Sequence, residues 1–159
     1  MFMSGGARKT EIVLKALRLA GQRGVLATGW GGLTADNAPE SIYVLEAVPH
    51  DWLFPKTAAV VHHGGAGTTG AALRAGKPTV TCPFVGDQPF WRRRVAALGV
   101  GPSPIPQRKL TAERLADAIG SAVAEHGMRQ RAASLGEAIR AEDGVGRAIA
   151  VINSRLSGQ

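Results

Sequence analysis

The feature that most limits how this chain can fold is an alternation. Short runs rich in β-branched residues, at 24–28, 42–45, 58–61 and 78–82, are separated by Ala/Leu-rich stretches whose apolar residues recur at helical spacing. Runs this short cannot be helices, and their regular interleaving with amphipathic segments is the pattern of an α/β domain with a parallel sheet flanked by helices. The spacing predicts helices over 10–22, 70–75, 88–98, about 111–123, 128–141 and 145–156, with a turn or short helix at 51–56 broken by Pro55. Thr111 is a plausible N-cap for the helix beginning at Ala112. Such a domain ordinarily opens on a strand, whereas this sequence opens on a Gly-rich turn and a helix. Two expectations stand: the first strand is missing, or another segment fills its place in the sheet.

Composition narrows the classes. A length of 159 residues suits one domain with a sizeable core. No apolar run approaches the roughly 20 residues needed to span a bilayer as a helix. Residues 1–8 are too short and polar a start for a secretory signal. Cys82 is the single cysteine and has no internal partner for a disulfide. A cytoplasmic location is therefore expected. The formal charge of +7 fits either an anionic partner or an arginine-rich solvated surface. The arginines are dispersed, and the one run, Arg92-Arg93-Arg94, has no aromatic ladder interleaved. No nucleic-acid partner is expected.

The strongest local signal is the strand-turn-helix at 58–75. A buried strand delivers His62-His63-Gly64-Gly65-Ala66-Gly67-Thr68-Thr69, and a helix follows at once. Glycines permit a tight turn and close approach of a ligand to the backbone. The first amides of a helix lack intrahelical partners, and the helix dipole adds positive potential, so such a turn attracts anions. His63, the first amides of the helix, and the hydroxyls of Thr68 and Thr69 are candidate donors to a diphosphate. A Gly-rich turn that only packs helix on strand is the plainer alternative. The turn matches neither the G-x-G-x-x-G fingerprint nor the phosphate loop of ATPases. His62 and His63 are adjacent on an extended segment and point to opposite faces. A zinc site with His50 is therefore not expected, and His62 reads as a packed residue.

Two further segments follow strands at the same carboxyl edge, where open α/β sheets bind ligands. In Pro83-Phe84-Val85-Gly86-Asp87-Gln88-Pro89-Phe90-Trp91, Asp87 and Gln88 suit vicinal sugar hydroxyls, although Asp87 equally suits a helix N-cap. Trp30 and the backbone near Val48 are candidates for contacting a nucleobase and ribose. Trp52 and Phe54 read as core or interface residues.

Taken in order, Gly29-Trp30-Gly31-Gly32-Leu33, the 48–55 segment Val-Pro-His-Asp-Trp-Leu-Phe-Pro, the 61–69 turn, the 83–91 segment and Gly99-Val100-Gly101-Pro102 resemble one family. It is the UDP-glycosyltransferase superfamily, and the likeness is to the C-terminal domain of its GT-B members. The likeness is closest to the sterol 3-beta-glucosyltransferase branch and related bacterial enzymes. The resemblance covers most of residues 4–120. It implies a Rossmann-like domain forming the C-terminal half of a GT-B fold. It implies a donor site for UDP-glucose or a dTDP-sugar, with no separate cofactor. There His63, Ala66, Gly67 and Thr68 would hold the diphosphate, Asp87 and Gln88 the sugar, and the Val48 backbone the base. Plant members place a base-stacking tryptophan where this chain has Ala47, and a ribose-gripping glutamate where it has Ala71. Uridine and thymidine therefore both stay open. The family's acceptor site and catalytic base belong to an N-terminal domain outside this sequence. The resemblance thus implies the donor half of an inverting hexosyltransferase acting on a hydroxylated lipid, sterol-like or natural-product acceptor, with no catalytic residue of its own. A non-catalytic nucleotide-sugar-binding module or partner subunit is the alternative.

Overall fold

The computed structural model describes residues 5–28 and 38–157. Along them run α1 (Gly5–Leu19), β1 (Gly24–Ala27), β2 (Ile42–Leu45), α2 (His50–Leu53), β3 (Val60–His62), α3 (Ala66–Arg74), β4 (Thr79–Thr81), α4 (Gln88–Ala97), α5 (Ala112–Ala124), α6 (His126–Ala141) and α7 (Gly144–Leu156). The expected α/β alternation is present, and the described pairings are all parallel.

The strands form two parallel pairs. Gly24 lies opposite Ile42 and Ala27 opposite Leu45 in the first pair. Val60 lies opposite Thr79 and His62 opposite Thr81 in the second. With strands of three or four residues the ladders contribute few hydrogen bonds, so side-chain burial carries most of the stabilisation. β4 is the most enclosed strand, with Thr79, Val80 and Thr81 all buried. Its second edge is occupied by the segment after α4. The Thr79 N–H donates to the Val100 carbonyl (3.0 Å), and the Ile105 N–H donates to the Thr81 carbonyl (2.9 Å).

Helices cover these strands from the sides. Ala16 of α1 packs with Val80, Cys82, Ile105, Leu115, Ile119 and Met128 in the largest core cluster. A second cluster joins Leu73, Val95, Val100 and Ala132, and a third joins Phe54, Val60 and Ala72. α1 begins and ends earlier than its apolar spacing suggested, because Gly5 and Gly6 are part of the helix. It stops where Gly21 turns to φ +62°, with the Gly21 and Gln22 amides donating back to the Arg18 and Leu17 carbonyls. Those paired bonds close the last turn on a left-handed residue. Thr111 caps α5 as expected, accepting from the Arg114 N–H at 3.3 Å. α7 buries none of its residues, and Val145, Ile149, Ile152 and Leu156 are exposed along one side of it.

Candidate functional site

The β3–α3 turn is shaped by strand alternation. Val60 is buried, Val61 is exposed and His62 turns partly inward. The Gly64 N–H donates to Nδ1 of His62 at 2.9 Å. Gly64 sits at φ +90°, a conformation that glycine adopts without strain. A Cβ built there would lie 3.7 Å from Cβ of Thr81 and 3.8 Å from Cβ of Gln88. The turn is therefore pressed against both β4 and the start of α4.

α3 begins at Ala66, four residues before the helix expected at 70–75. Its N-cap, Gly65, has no side chain to offer. The first bond into the helix is the Thr69 N–H to the Gly65 carbonyl, at 2.9 Å. The N–H groups of Gly65, Ala66, Gly67 and Thr68 donate to no described residue. Ala66 and Gly67 are exposed, Thr68 is half-exposed, and the first turn holds no acidic residue. These open amides, at the positive end of the helix dipole, form an anion-attracting surface.

His63 hangs over that surface. Its Nε2 lies 2.5 Å from where a Cβ on Gly65 would stand, so the imidazole rests on the space that the glycine leaves. The His62 and His63 rings are 6.1 Å apart and nearly perpendicular, at 82°. Burial, together with the nearby His63 and His50, lowers the His62 pKa to about 4. His62 is therefore neutral near pH 7. Because Nδ1 accepts from Gly64, its proton sits on Nε2. Thr69 departs from expectation. Its position on the helix points into the core, it is fully buried, and its hydroxyl cannot reach a ligand outside. Of the two threonines, only Thr68 has access to the outside.

The β4–α4 loop lies beside this turn, and its two candidate sugar contacts differ. Asp87 occupies the N-cap position of α4 without making a side-chain cap bond. Instead its Oδ2 accepts from the Trp91 indole N–H at 2.9 Å, one helical turn on. Gln88 is 6% exposed. Its Oε1 accepts from the amides of Phe84 (2.7 Å) and Val85 (3.1 Å). The two side chains expected to suit vicinal sugar hydroxyls are thus differently engaged. Asp87 keeps one carboxylate oxygen outside that bond, while the oxygen of Gln88 is committed to holding the loop. Neither role was read from the sequence. The i, i+4 spacing of Asp87 and Trp91 is the signal that would have shown the first.

Val48 is half-buried in the loop between β2 and α2, and its backbone bonds to no described residue. The loop leads into α2, and Phe54 just beyond that helix packs with Val60 of β3 and Ala72 of α3. Phe54 is core, as expected, and stacks on His50 with ring centroids 4.4 Å apart. Trp52 is not core. It is 56% exposed, with Nζ of Lys56 4.3 Å from its ring centroid, because the short α2 turns it outward. Trp30 lies outside the described residues. The loops carrying His63 with Ala66–Thr68 and Asp87 adjoin at one open edge, where Gly64 lies against Gln88. Two shallow grooves, one walled by Leu98, Arg131 and Leu135 and the other by Pro104, Lys109 and Asp117, contain none of these residues.

Comparison with known proteins bears on the family and the fold. Residues 30–145 match the family model described as erythromycin biosynthesis protein CIII-like, C-terminal domain. The sterol 3-beta-glucosyltransferase UGT80A2 of Arabidopsis thaliana is 50% identical over 143 residues, which are 89% of this chain and 22% of that protein. The sterol 3-beta-glucosyltransferase of Saccharomyces cerevisiae (strain YJM789) is 43% identical over 162 residues, covering 97% of this chain and 13% of that one. The chain thus spans less than a quarter of the length of these curated relatives. Among solved structures, the glycotransferase of kitacinnamycin superposes with a TM-score of 0.84 at 24% identity, over 96% of this chain and 40% of that one. The glycosyltransferase VinC, solved in complex with dTDP, gives 0.64 at 28% identity over 74% of this chain and 31% of its own. The order of strands and helices, the open edge and these matches lead to one assignment: the chain belongs to the erythromycin biosynthesis protein CIII-like C-terminal domain family and has the fold of the C-terminal half of a GT-B glycosyltransferase.

Proposed function

We propose that this chain is the donor-binding half of an inverting glycosyltransferase, and that its open edge holds a nucleotide-diphosphate sugar, UDP-glucose or a dTDP-sugar. One observation carries the reading. Exposed, unbonded amides at the start of α3 lie under the His63 imidazole, beside the loop that presents Asp87. The diphosphate would accept from the N–H groups of Ala66, Gly67 and Thr68, from the Thr68 hydroxyl and from His63. The remaining oxygen of Asp87 would accept from a sugar hydroxyl, with Trp91 holding the carboxylate in place. Gln88 would keep the 83–88 loop in shape and offer at most its Nε2. The unbonded backbone at Val48 would read the base. The names of the relatives support the sugar, and the dTDP bound to VinC supports the nucleotide class.

The chemistry follows from the charges. When an acceptor hydroxyl attacks the anomeric carbon, the bond to the diphosphate breaks and negative charge builds on the departing oxygen. Fixed amide donors, a helix dipole and an imidazole stabilise that charge without reorganising during the step. The proton leaves the hydroxyl through a general base on the acceptor side. In this reading the base and the pocket for a hydroxylated lipid, sterol-like or natural-product acceptor belong to the part of such proteins that residues 1–159 do not span.

Calorimetric titration of the chain with UDP, UDP-glucose and dTDP tests the proposal. Micromolar to millimolar binding that falls at least tenfold in His63→Ala is expected. Equal affinity in the variant, or no binding to the wild-type chain, would remove the assignment.

A further inference from the structure

We infer that His62, although it does not face the open edge, is a positioning residue for the anion site, acting through the hydrogen bond that its Nδ1 accepts from Gly64. The inference rests on the donor-site reading above and adds to it a residue that the phosphate does not touch.

Three observations lead there. First, the bond spans only two residues and bridges the end of β3 to the left-handed Gly64. It therefore fixes the one peptide whose orientation decides where Gly65 and the α3 amides point. Second, the turn has nowhere else to go. Gly64 is buried against Thr81 and Gln88, and His62 itself is paired across the ladder with Thr81. Anchored on that side, the chain can leave only toward Gly65, over which His63 sits. Third, the acceptor state of the ring is maintained. Burial with His63 and His50 nearby lowers its pKa to about 4, so Nδ1 stays unprotonated over the range in which most enzymes work.

The inner ring nitrogen is consistent with a positioning role as well. Nε2 of His62 is buried and has no partner among the described residues. A histidine retained only for packing would be served as well by an apolar ring, which would not leave that N–H without an acceptor. What a phenyl or leucyl group cannot supply is the acceptor at Nδ1. Asparagine can, because its Oδ1 is attached to Cγ as Nδ1 is in histidine.

The test pairs binding with a spectroscopic readout on the chain of residues 1–159. UDP affinity is measured by titration calorimetry for wild type, His62→Asn, His62→Ala and His62→Leu. In parallel, the ring nitrogens of His62 and the exchange rate of the Gly64 amide proton are followed by NMR in wild type without ligand. A net hydrogen bond of ordinary strength corresponds to about a fivefold to tenfold change. His62→Ala and His62→Leu should weaken UDP binding by about that factor, while His62→Asn stays within about twofold of wild type. Nδ1 should carry no proton at neutral pH, and the Gly64 amide should exchange slowly. The inference is overturned if His62→Leu binds as wild type does, or if His62→Asn loses as much as His62→Ala. It is also overturned if Nδ1 is the protonated nitrogen. Should the wild-type chain not bind UDP, the donor reading fails on its own. The NMR measurements would still decide whether His62 holds the turn, and they remain readable if a variant does not fold.

Discussion

Replacing Gly65 with alanine should separate binding from folding. The residue sits at φ −66° and ψ 152°, values any L-residue adopts freely, so the backbone needs no change. The three atoms nearest a Cβ there all belong to the His63 ring, at 2.5 Å for Nε2, 3.3 Å for Cδ2 and 3.4 Å for Cε1. That ring is exposed and free to swing aside. Two small folding effects oppose each other. Alanine is a poorer N-cap than glycine, by about 0.5–1 kcal/mol, while it restricts the unfolded chain by about 0.4–1 kcal/mol. The melting midpoint should therefore move by no more than a few degrees. Binding is another matter, because the displaced imidazole takes with it a hydrogen bond to a charged phosphate. Such a bond contributes about 1.5–3 kcal/mol, or roughly 10- to 150-fold in Kd. Titration with UDP and thermal melting of the same samples would show both effects. If Gly65→Ala binds UDP as tightly as wild type, the imidazole is not part of the site. A large loss of stability would contradict this geometry, because the atoms nearest the new methyl all belong to the exposed His63 ring.

Other outcomes are expected from the same geometry. Stability should fall as pH drops from about 6.5 toward 4. The His62 pKa is lowered on folding, so the unfolded chain binds the extra proton first, and up to about 3 kcal/mol is lost across that window; chemical denaturation at several pH values checks this, and the loss should vanish in His62→Asn. Gly101→Ala should destabilise the chain by about 1–3 kcal/mol, because its Cβ would strike the Thr79 carbonyl and approach Cγ1 of Val95 to 2.6 Å; urea denaturation reads the change. Asp87→Ala should weaken UDP-glucose by about tenfold or more and leave UDP within about twofold, a difference that calorimetry resolves. Incubation of residues 1–159 with UDP-glucose and a hydroxylated sterol should give binding without transfer.

Much of this was legible in the residues. β-branched runs gave the strands to within a residue or two, because a short apolar run between turn signals has few other fates in a chain of this kind. Apolar periodicity gave the helices, and it misplaced ends where no side chain marks them. The start of α3 lies among glycine and alanine, which carry no periodicity, so four helical residues at 66–69 read as turn. The same blindness covers Thr68 and Thr69, one of which faces out and the other the core. Residue type indicated the chemistry of Asp87 and Gln88, but not their partners. That Gln88 turns inward to the Phe84 and Val85 amides depends on how the loop closes over β4, a tertiary fact. Trp52 was read as core or interface, and the single turn of α2 leaves it exposed rather than in the core.

The most direct measurement is a crystal structure of this chain bound to UDP. Phosphate oxygens are expected within hydrogen-bonding distance of the Ala66, Gly67 and Thr68 amides, with the His63 ring closing over them and Gly64 still bonded to His62. Nucleotide density at either shallow groove, or phosphates placed away from the start of α3, would contradict it.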